Sequence, residues 1–168
     1  MPELNRLAPD FELPGLDGSL HRLSHYRGRI AVVNFWSCAC PHSERTDRSL
    51  MSTLVQRGQE VVMLTIALNR SESAQMMAEA AKTRRIPQVL LDPGQVVANL
   101  YEAQATPHAF VLDRDGILCY RGAVDDVTFR HRAAARFYVE EAVEALLDGR
   151  LPAVAETPAF GCTIVREI

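Results

Sequence analysis

The sequence lacks the features that mark membrane-spanning and nucleic-acid-binding proteins. No apolar stretch in its 168 residues approaches the roughly 20 residues that a bilayer span requires. The net charge is only −3 and no long run of either sign occurs, which argues against a nucleic-acid surface or a polybasic membrane patch. The opening segment 1–6 has no apolar signal-peptide core, so we expect a cytoplasmic protein.

Cysteine is also scarce, with four residues in the chain. A chain of this length buries roughly 70% of its unfolded surface, so its core needs no disulfide framework. We therefore expect a single domain over 1–168, with residues 150–168 as a C-terminal tail. Each cysteine should be either a buried filler or a reactive thiol. The four are Cys38, Cys40, Cys119 and Cys162.

The order of apolar runs indicates an α/β fold. Strands are predicted at 30–36, 60–68, 89–92, 108–112 and 117–121. Helices are predicted at 42–57, at 71–84 with Ser71 or Ser73 as the cap, at 94–102 and at 132–147. Alternating strands and helices predict a parallel sheet with helices on both faces, and the closing hairpin makes the sheet mixed. Residues 7–29 are loop-like, with short fragments that could form a further hairpin.

Cys40 stands where the first buried strand passes into the first helix. In open α/β sheets, functional sites lie at the carboxyl ends of strands. Pro41 suits the first helical position, so the Cys40 thiol should face unpaired N–H groups and the positive end of the helix dipole. Both stabilise a thiolate, so we expect the pKa of Cys40 to lie below the roughly 8.5 of a free cysteine. A protonated His42 would add to this effect.

The segment Asn34-Phe35-Trp36-Ser37-x-x-Cys40-Pro41 resembles the active-site segment of thioredoxin-like redoxins, which include the alkyl hydroperoxide reductase/thiol-specific antioxidant proteins. Further segments resemble parts of these proteins in the same order: 8–13, Thr106-Pro107 and the hairpin 111–122. Segment 156–164, with Gly161-Cys162-Thr163-Ile164, resembles the C-terminal signature of one uncharacterised branch of these redoxins. The resemblance implies a thioredoxin-like fold with an N-terminal hairpin and no organic cofactor. It also implies that Pro107 is cis and that its loop faces the substrate. Trp36 would flank the thiol, or lie in the core.

The chain departs from the thioredoxin pattern after Cys40. Ser43 occupies the position of the second cysteine of Cys-x-x-Cys, so the usual resolving thiol is missing. Cys38 and Cys162 remain as candidates. A Cys38–Cys40 disulfide would close a small, strained and easily reduced ring. Cys162 lies on a tail marked by Gly and Pro, which we expect to be mobile and so able to bring Cys162 to Cys40. We therefore expect a thiol–disulfide oxidoreductase in which Cys40 attacks. The intermediate is resolved by either cysteine or by an external thiol of thioredoxin or glutathione type.

Three alternatives remain open. A peroxidase acting on hydroperoxides would use Ser37 as the hydroxyl three residues before Cys40 and Arg121 as the basic residue, although Val33 stands where peroxiredoxins have proline. Copper or zinc binding would use the spacing of Cys38, Cys40 and His42. A redoxin without turnover would be purely structural or bind a partner.

Cys119, inside a predicted strand, is expected to be a packed small apolar group.

Overall fold

The part of the chain that the structure describes contains nine strands and four α-helices. This computed structural model describes residues 1–166, without the side chains of residues 53 and 55. The strands are β1 (Glu12–Pro14), β2 (Leu20–Arg22), β3 (Ile30–Trp36), β4 (Val61–Ala67), β5 (Val89–Leu91), β6 (Ala105–Thr106), β7 (His108–Leu112), β8 (Leu118–Gly122) and β9 (Cys162–Thr163). The helices are α1 (Pro41–Leu54), α2 (Ala74–Arg84), α3 (Val96–Leu100) and α4 (Tyr138–Leu147).

The central sheet has the strand order β5-β4-β3-β7-β8, with β3 in the middle. β3 runs parallel to β4 and antiparallel to β7, so the sheet is mixed, as the sequence predicted. All seven residues of β3 are buried because helices or loops cover both faces. Val32 and Trp36 pack in the cluster that includes α1 and α4, whereas Val33 lies in the cluster that includes α3. This burial, at about 1.5–3 kcal/mol for each large apolar side chain, holds β3 firmly in the core next to the turn that carries Cys40.

The predicted N-terminal hairpin and the first two helices are confirmed. β1 and β2 pair antiparallel. α1 begins at Pro41 and is followed by a short 3₁₀ turn at Val55–Arg57. α2 is capped by Ser73, whose side-chain oxygen accepts a 3.1 Å hydrogen bond from the N–H of Met76. Within residues 1–166, no helix is long and apolar enough to cross a membrane.

The prediction of a helix over 132–147 was wrong at its start, because α4 begins only at Tyr138. Side chains in the preceding loop bind the backbone groups that a helix would use. Thr128 Oγ1 accepts from the N–H of His131 at 3.1 Å, and Asp126 Oδ1 accepts from the N–H of Ala135 at 2.9 Å. Such local side-chain bonds compete with helical hydrogen bonds and hold these residues in an irregular loop.

The C-terminal tail is packed against the domain, which corrects the expectation of a mobile tail. The N–H of Arg121 donates to Ala155 O at 3.0 Å, joining the tail to β8. Further along, β9 pairs antiparallel with β6, and Ile164 is buried in the α3-side cluster. The tail therefore runs along the same end of the sheet at which β3 passes into α1.

Candidate active site

The turn between β3 and α1 places Cys40 at the N-terminus of the helix. The carbonyl of Cys40 accepts a 3.0 Å bond from the N–H of Glu44, and its own N–H donates to Ser37 O at 3.2 Å. Ser43, at the position where thioredoxins carry their second cysteine, is fully buried. Its hydroxyl accepts a hydrogen bond from the N–H of Ser37 at 3.4 Å. The turn is thus held by its own hydrogen bonds, and the Cys40 sulfur lies at the positive end of a 14-residue helix.

Cys40 forms a disulfide with Cys162. Their Cα atoms are 6.2 Å apart, within the normal span of a disulfide, although 122 residues separate them in sequence. Thr106 and Pro107 are joined by a cis peptide bond, as the family resemblance implied. The carbonyl oxygen of Thr106 lies 3.1 Å from Cys40 Sγ. Four residues singled out from the sequence therefore meet at one place.

The tail covers Cys40 and leaves Cys162 more accessible. Cys40 is only 4% exposed, whereas Cys162 is partly exposed. On the same side, the rings of His42 and Phe160 meet edge-on at 5.0 Å between centroids. Phe160 in turn meets the ring of Phe129, which is 82% exposed. An aromatic cluster thus joins α1, the tail and the loop before α4 beside the disulfide.

Cys38 is a free, buried thiol directly before the turn. Its carbonyl accepts a 2.8 Å hydrogen bond from Arg84. Burial, together with the nearby Glu72 carboxylate that repels the thiolate, raises the pKa of the Cys38 thiol to about 11. At neutral pH Cys38 is therefore protonated, a state that is neither nucleophilic nor metal-binding.

We predict that Cys38 in the folded, oxidised protein resists alkylation. At pH 8 a thiol with a pKa of about 11 is ionised to only about 0.1%, against roughly a quarter for a free cysteine. Iodoacetamide labelling of Cys38 is followed by mass spectrometry in a Cys119→Ala background. The folded protein should react at least about 100-fold more slowly than the protein unfolded in urea. Glu72→Gln should speed the labelling, because it removes the negative charge. Equal rates with and without urea would contradict this assignment.

Glu72 is a site residue that the sequence reasoning missed. It lies in the loop between β4 and α2, next to the carboxyl end of β3, and is only 6% exposed. Its Oε1 accepts hydrogen bonds from the Ser37 hydroxyl and from the N–H of Ala39, the latter at 3.0 Å. Within residues 1–166, its buried Oε2 has no hydrogen-bond partner. One carboxylate thus fixes the backbone of the Cys38–Cys40 segment, and no local pattern around Glu72 indicates this.

Trp36 lies in the core, fully buried, as one of the two readings of the sequence allowed. Its indole N–H donates to Asp47 Oδ2 at 2.8 Å, and Arg84 donates to the same oxygen at 3.1 Å. Burial raises the pKa of Asp47 despite these two hydrogen bonds. Because Arg84 also binds the carbonyl of Cys38, this network joins α1, α2 and the turn.

The remaining candidates lie apart from the disulfide chemistry. Cys119 is buried on β8, where burial raises the pKa of its thiol to about 11. Arg121 is bound by Glu156 at 3.0 Å and by the carbonyl of Pro2. In residues 1–166, no group of three or more His, Cys, Asp or Glu side chains is placed to hold a metal ion. The proposed Cys38/Cys40/His42 ligand set is therefore not assembled in this structure.

The sheet order, the cis-proline loop and the cysteine at the first strand-to-helix turn define a thioredoxin-fold protein. The structure matches the thioredoxin domain of a thiol-disulfide oxidoreductase from Bacteroides vulgatus with a TM-score of 0.64. That match covers 72% of this chain and 89% of the other at 17% identity, so it shows the fold alone. The structure also matches that of an uncharacterized conserved protein from Geobacillus kaustophilus, and the match covers 99% of this chain and 94% of the other chain. Its TM-score is 0.89 and its identity 28%.

Within this fold, the chain belongs to the AhpC/TSA family, which it matches over residues 4–121. The match ends before the tail, so Cys162 lies outside it. A curated relative, the thiol-disulfide oxidoreductase ResA from Geobacillus thermodenitrificans (strain NG80-2), is 31% identical over 110 residues. The alignment covers 65% of this chain and 63% of the relative, so the chain spans less than two-thirds of that protein's length.

Proposed function

We propose that the protein is a thiol–disulfide oxidoreductase whose redox pair is Cys40 and Cys162. The disulfide between these two cysteines, at the first strand-to-helix turn and beside the cis-proline loop, is the observation that carries the proposal. The relative named thiol-disulfide oxidoreductase supports the same class of chemistry. A disulfide-containing substrate and an external thiol reductant would be the partners.

In this proposal, the reduced protein begins with attack by the Cys40 thiolate on a substrate disulfide. The N-terminus of α1 stabilises that thiolate through its free N–H groups and dipole. The attack forms a mixed disulfide and releases one substrate thiolate. Cys162 then attacks the Cys40 sulfur, releases the second substrate thiolate and closes the disulfide that the structure contains. Cys38 takes no part, because it is buried and protonated.

The hydrogen bonds of Ser37 and Arg121 make peroxidase activity a weaker alternative than thiol–disulfide exchange. The hydroxyl of Ser37 donates to Glu72, so it is not free to bind a peroxide at Cys40. Arg121 is held by Glu156 and by the Pro2 carbonyl. Among the described residues, neither the Ser37 hydroxyl nor the Arg121 guanidinium forms a hydrogen bond with the Cys40 sulfur. The hypothesis therefore has no structural observation in its favour.

A single-turnover experiment tests the proposed function. Reduced protein is mixed with excess glutathione disulfide, or separately with hydrogen peroxide, and its thiols are counted over time. We expect each molecule to lose two thiols and release two glutathione thiols, at least about tenfold faster than with hydrogen peroxide at equal concentration. Loss of thiols only with peroxide would contradict the proposal and favour the peroxidase.

A further inference from the structure

The tail lies along the edge that the cis-proline loop would offer to a substrate strand. β9 pairs antiparallel with β6, with Thr163 opposite Ala105 and Cys162 opposite Thr106. A cysteine-containing peptide that added a strand to β6 would use these backbone groups to bring its sulfur to Cys40. The tail therefore occupies the place of an extended polypeptide substrate, with Cys162 in the position of the substrate cysteine.

The tail is fixed to β8 well before it reaches Cys162. The N–H of Arg121 donates to Ala155 O at 3.0 Å, and the N–H of Thr157 donates to Arg121 O at 3.1 Å. The hydroxyl of Thr157 accepts from the N–H of Ala123 at 2.9 Å and lies 2.7 Å from the hydroxyl of Tyr120. None of these contacts depends on the disulfide.

The tail is also fixed on the other side of its cysteine. Ile164 is 7% exposed and packs in the α3-side apolar cluster. The side-chain amide of Gln95 donates to Val165 O at 2.9 Å. Arg166 donates to Asn99 Oδ1 at 2.7 Å. Cleavage of the disulfide removes none of these contacts, so reduction leaves both ends of the covering segment attached.

Between these two attached parts, the tail backbone at Gly161 packs directly against the backbone of Thr106 in the cis-proline loop. A Cβ atom built on Gly161 would lie 2.1 Å from Thr106 O and 2.6 Å from Thr106 C. No L-residue with a side chain fits there without moving one of the two segments. The tail and the loop therefore leave no gap into which a second strand could insert.

We propose that the tail stays on β6 in the reduced protein and restricts the substrate to low-molecular-weight disulfides. This inference rests on the proposed thiol–disulfide function and specifies its substrate class. A small disulfide reaches the sulfurs from the partly exposed side of Cys162 without pairing with β6. A polypeptide disulfide needs the edge that the tail holds.

The chemical step conserves atoms and electrons. The Cys40 thiolate attacks one sulfur of a disulfide RSSR, forms Cys40–S–S–R and releases RS⁻. Cys162 then attacks the Cys40 sulfur and the second RS⁻ leaves. The protein dithiol is oxidised by two electrons, RSSR is reduced to two RSH, and the two thiol protons of the protein end on these products.

Two disulfides of different shape test the inference on the full chain. Reduced protein is oxidised by glutathione disulfide or by the symmetrical disulfide dimer of a short strand-forming peptide. Each rate is divided by the rate of the same disulfide with free dithiothreitol. For wild type, we expect the normalised rate with glutathione disulfide to be at least about tenfold higher. Equal normalised rates would overturn the inference, and reaction with neither disulfide would instead overturn the thiol–disulfide function.

Variants of the tail show whether its position causes the preference. Gly161→Val should force the tail away from Thr106 and reduce the preference at least about tenfold, mainly by raising the rate with the peptide. Gly94→Val is the matched control, because its nearest neighbour, a side-chain carbon of Val96, is 3.7 Å from the added Cβ. If Gly161→Val does not fold, Thr157→Val replaces it, since it removes the hydroxyl contacts to β8. An unchanged preference in a folded, tail-displaced variant would overturn the inference.

Discussion

Cys40→Ser should abolish thiol–disulfide exchange. A serine hydroxyl is not ionised near neutral pH and does not attack disulfides, so no mixed disulfide forms at position 40. We expect the rate of glutathione disulfide reduction to fall by more than about 1,000-fold, the scale of loss when a nucleophile is removed. Stopped-flow measurement of released glutathione, under the same conditions for both proteins, provides the comparison.

Two further cysteine variants make this prediction specific. Cys119→Ala, in the buried position on β8, is the matched control and should keep its rate within about twofold. Cys38→Ala tests the choice of resolving residue, and it should also remain active because Cys162 closes the disulfide. The assignment fails if Cys40→Ser stays active, or if Cys38→Ala is as inactive as Cys40→Ser.

Reduction of the Cys40–Cys162 disulfide should lower the free energy of unfolding by about 2–5 kcal/mol. The disulfide joins residues 122 positions apart, so it restricts most of the unfolded chain. The tail keeps its non-covalent contacts in both redox states, so this loss arises mainly from the greater freedom of the unfolded chain. Urea unfolding with and without dithiothreitol measures the difference.

Cys162→Ser, which cannot form the disulfide with Cys40, is the control for the stability comparison. This variant should unfold like the reduced wild type, and dithiothreitol should not change its transition. Cys38→Ala and Cys119→Ala substitutions in every sample prevent disulfide exchange with the buried thiols. Identical urea midpoints for oxidised and reduced protein would show that the disulfide does not restrict the unfolded chain as described.

The sequence predicted the turn at Cys40 because its determinants are local. The apolar run of β3, the proline at the first position of α1 and the cysteine between them are neighbours in the chain. Glu72 could not be found in this way, since it reaches the turn from 35 residues beyond Ser37. The choice between Cys38 and Cys162 was equally beyond local reasoning, because it depends on how the distant tail packs.

The errors in the prediction have the same physical origin. The tail carries proline and glycine, which suggested a mobile segment, but Gly161 instead permits a close approach to Thr106. The helix predicted from residue 132 begins only at Tyr138, because Asp126 and Thr128 bind backbone N–H groups of the loop before it. In both places, the decisive contacts join residues whose proximity is set by the fold and not by periodicity.

The most direct test of the account is to identify the disulfide that forms during turnover. Reduced protein is mixed with one equivalent of glutathione disulfide, quenched in acid, alkylated and digested for peptide mapping by mass spectrometry. We predict a transient glutathione adduct on Cys40, followed by a single intramolecular disulfide joining Cys40 to Cys162, with Cys38 and Cys119 alkylated as free thiols. A disulfide between Cys38 and Cys40, or no disulfide involving Cys162, would contradict the account.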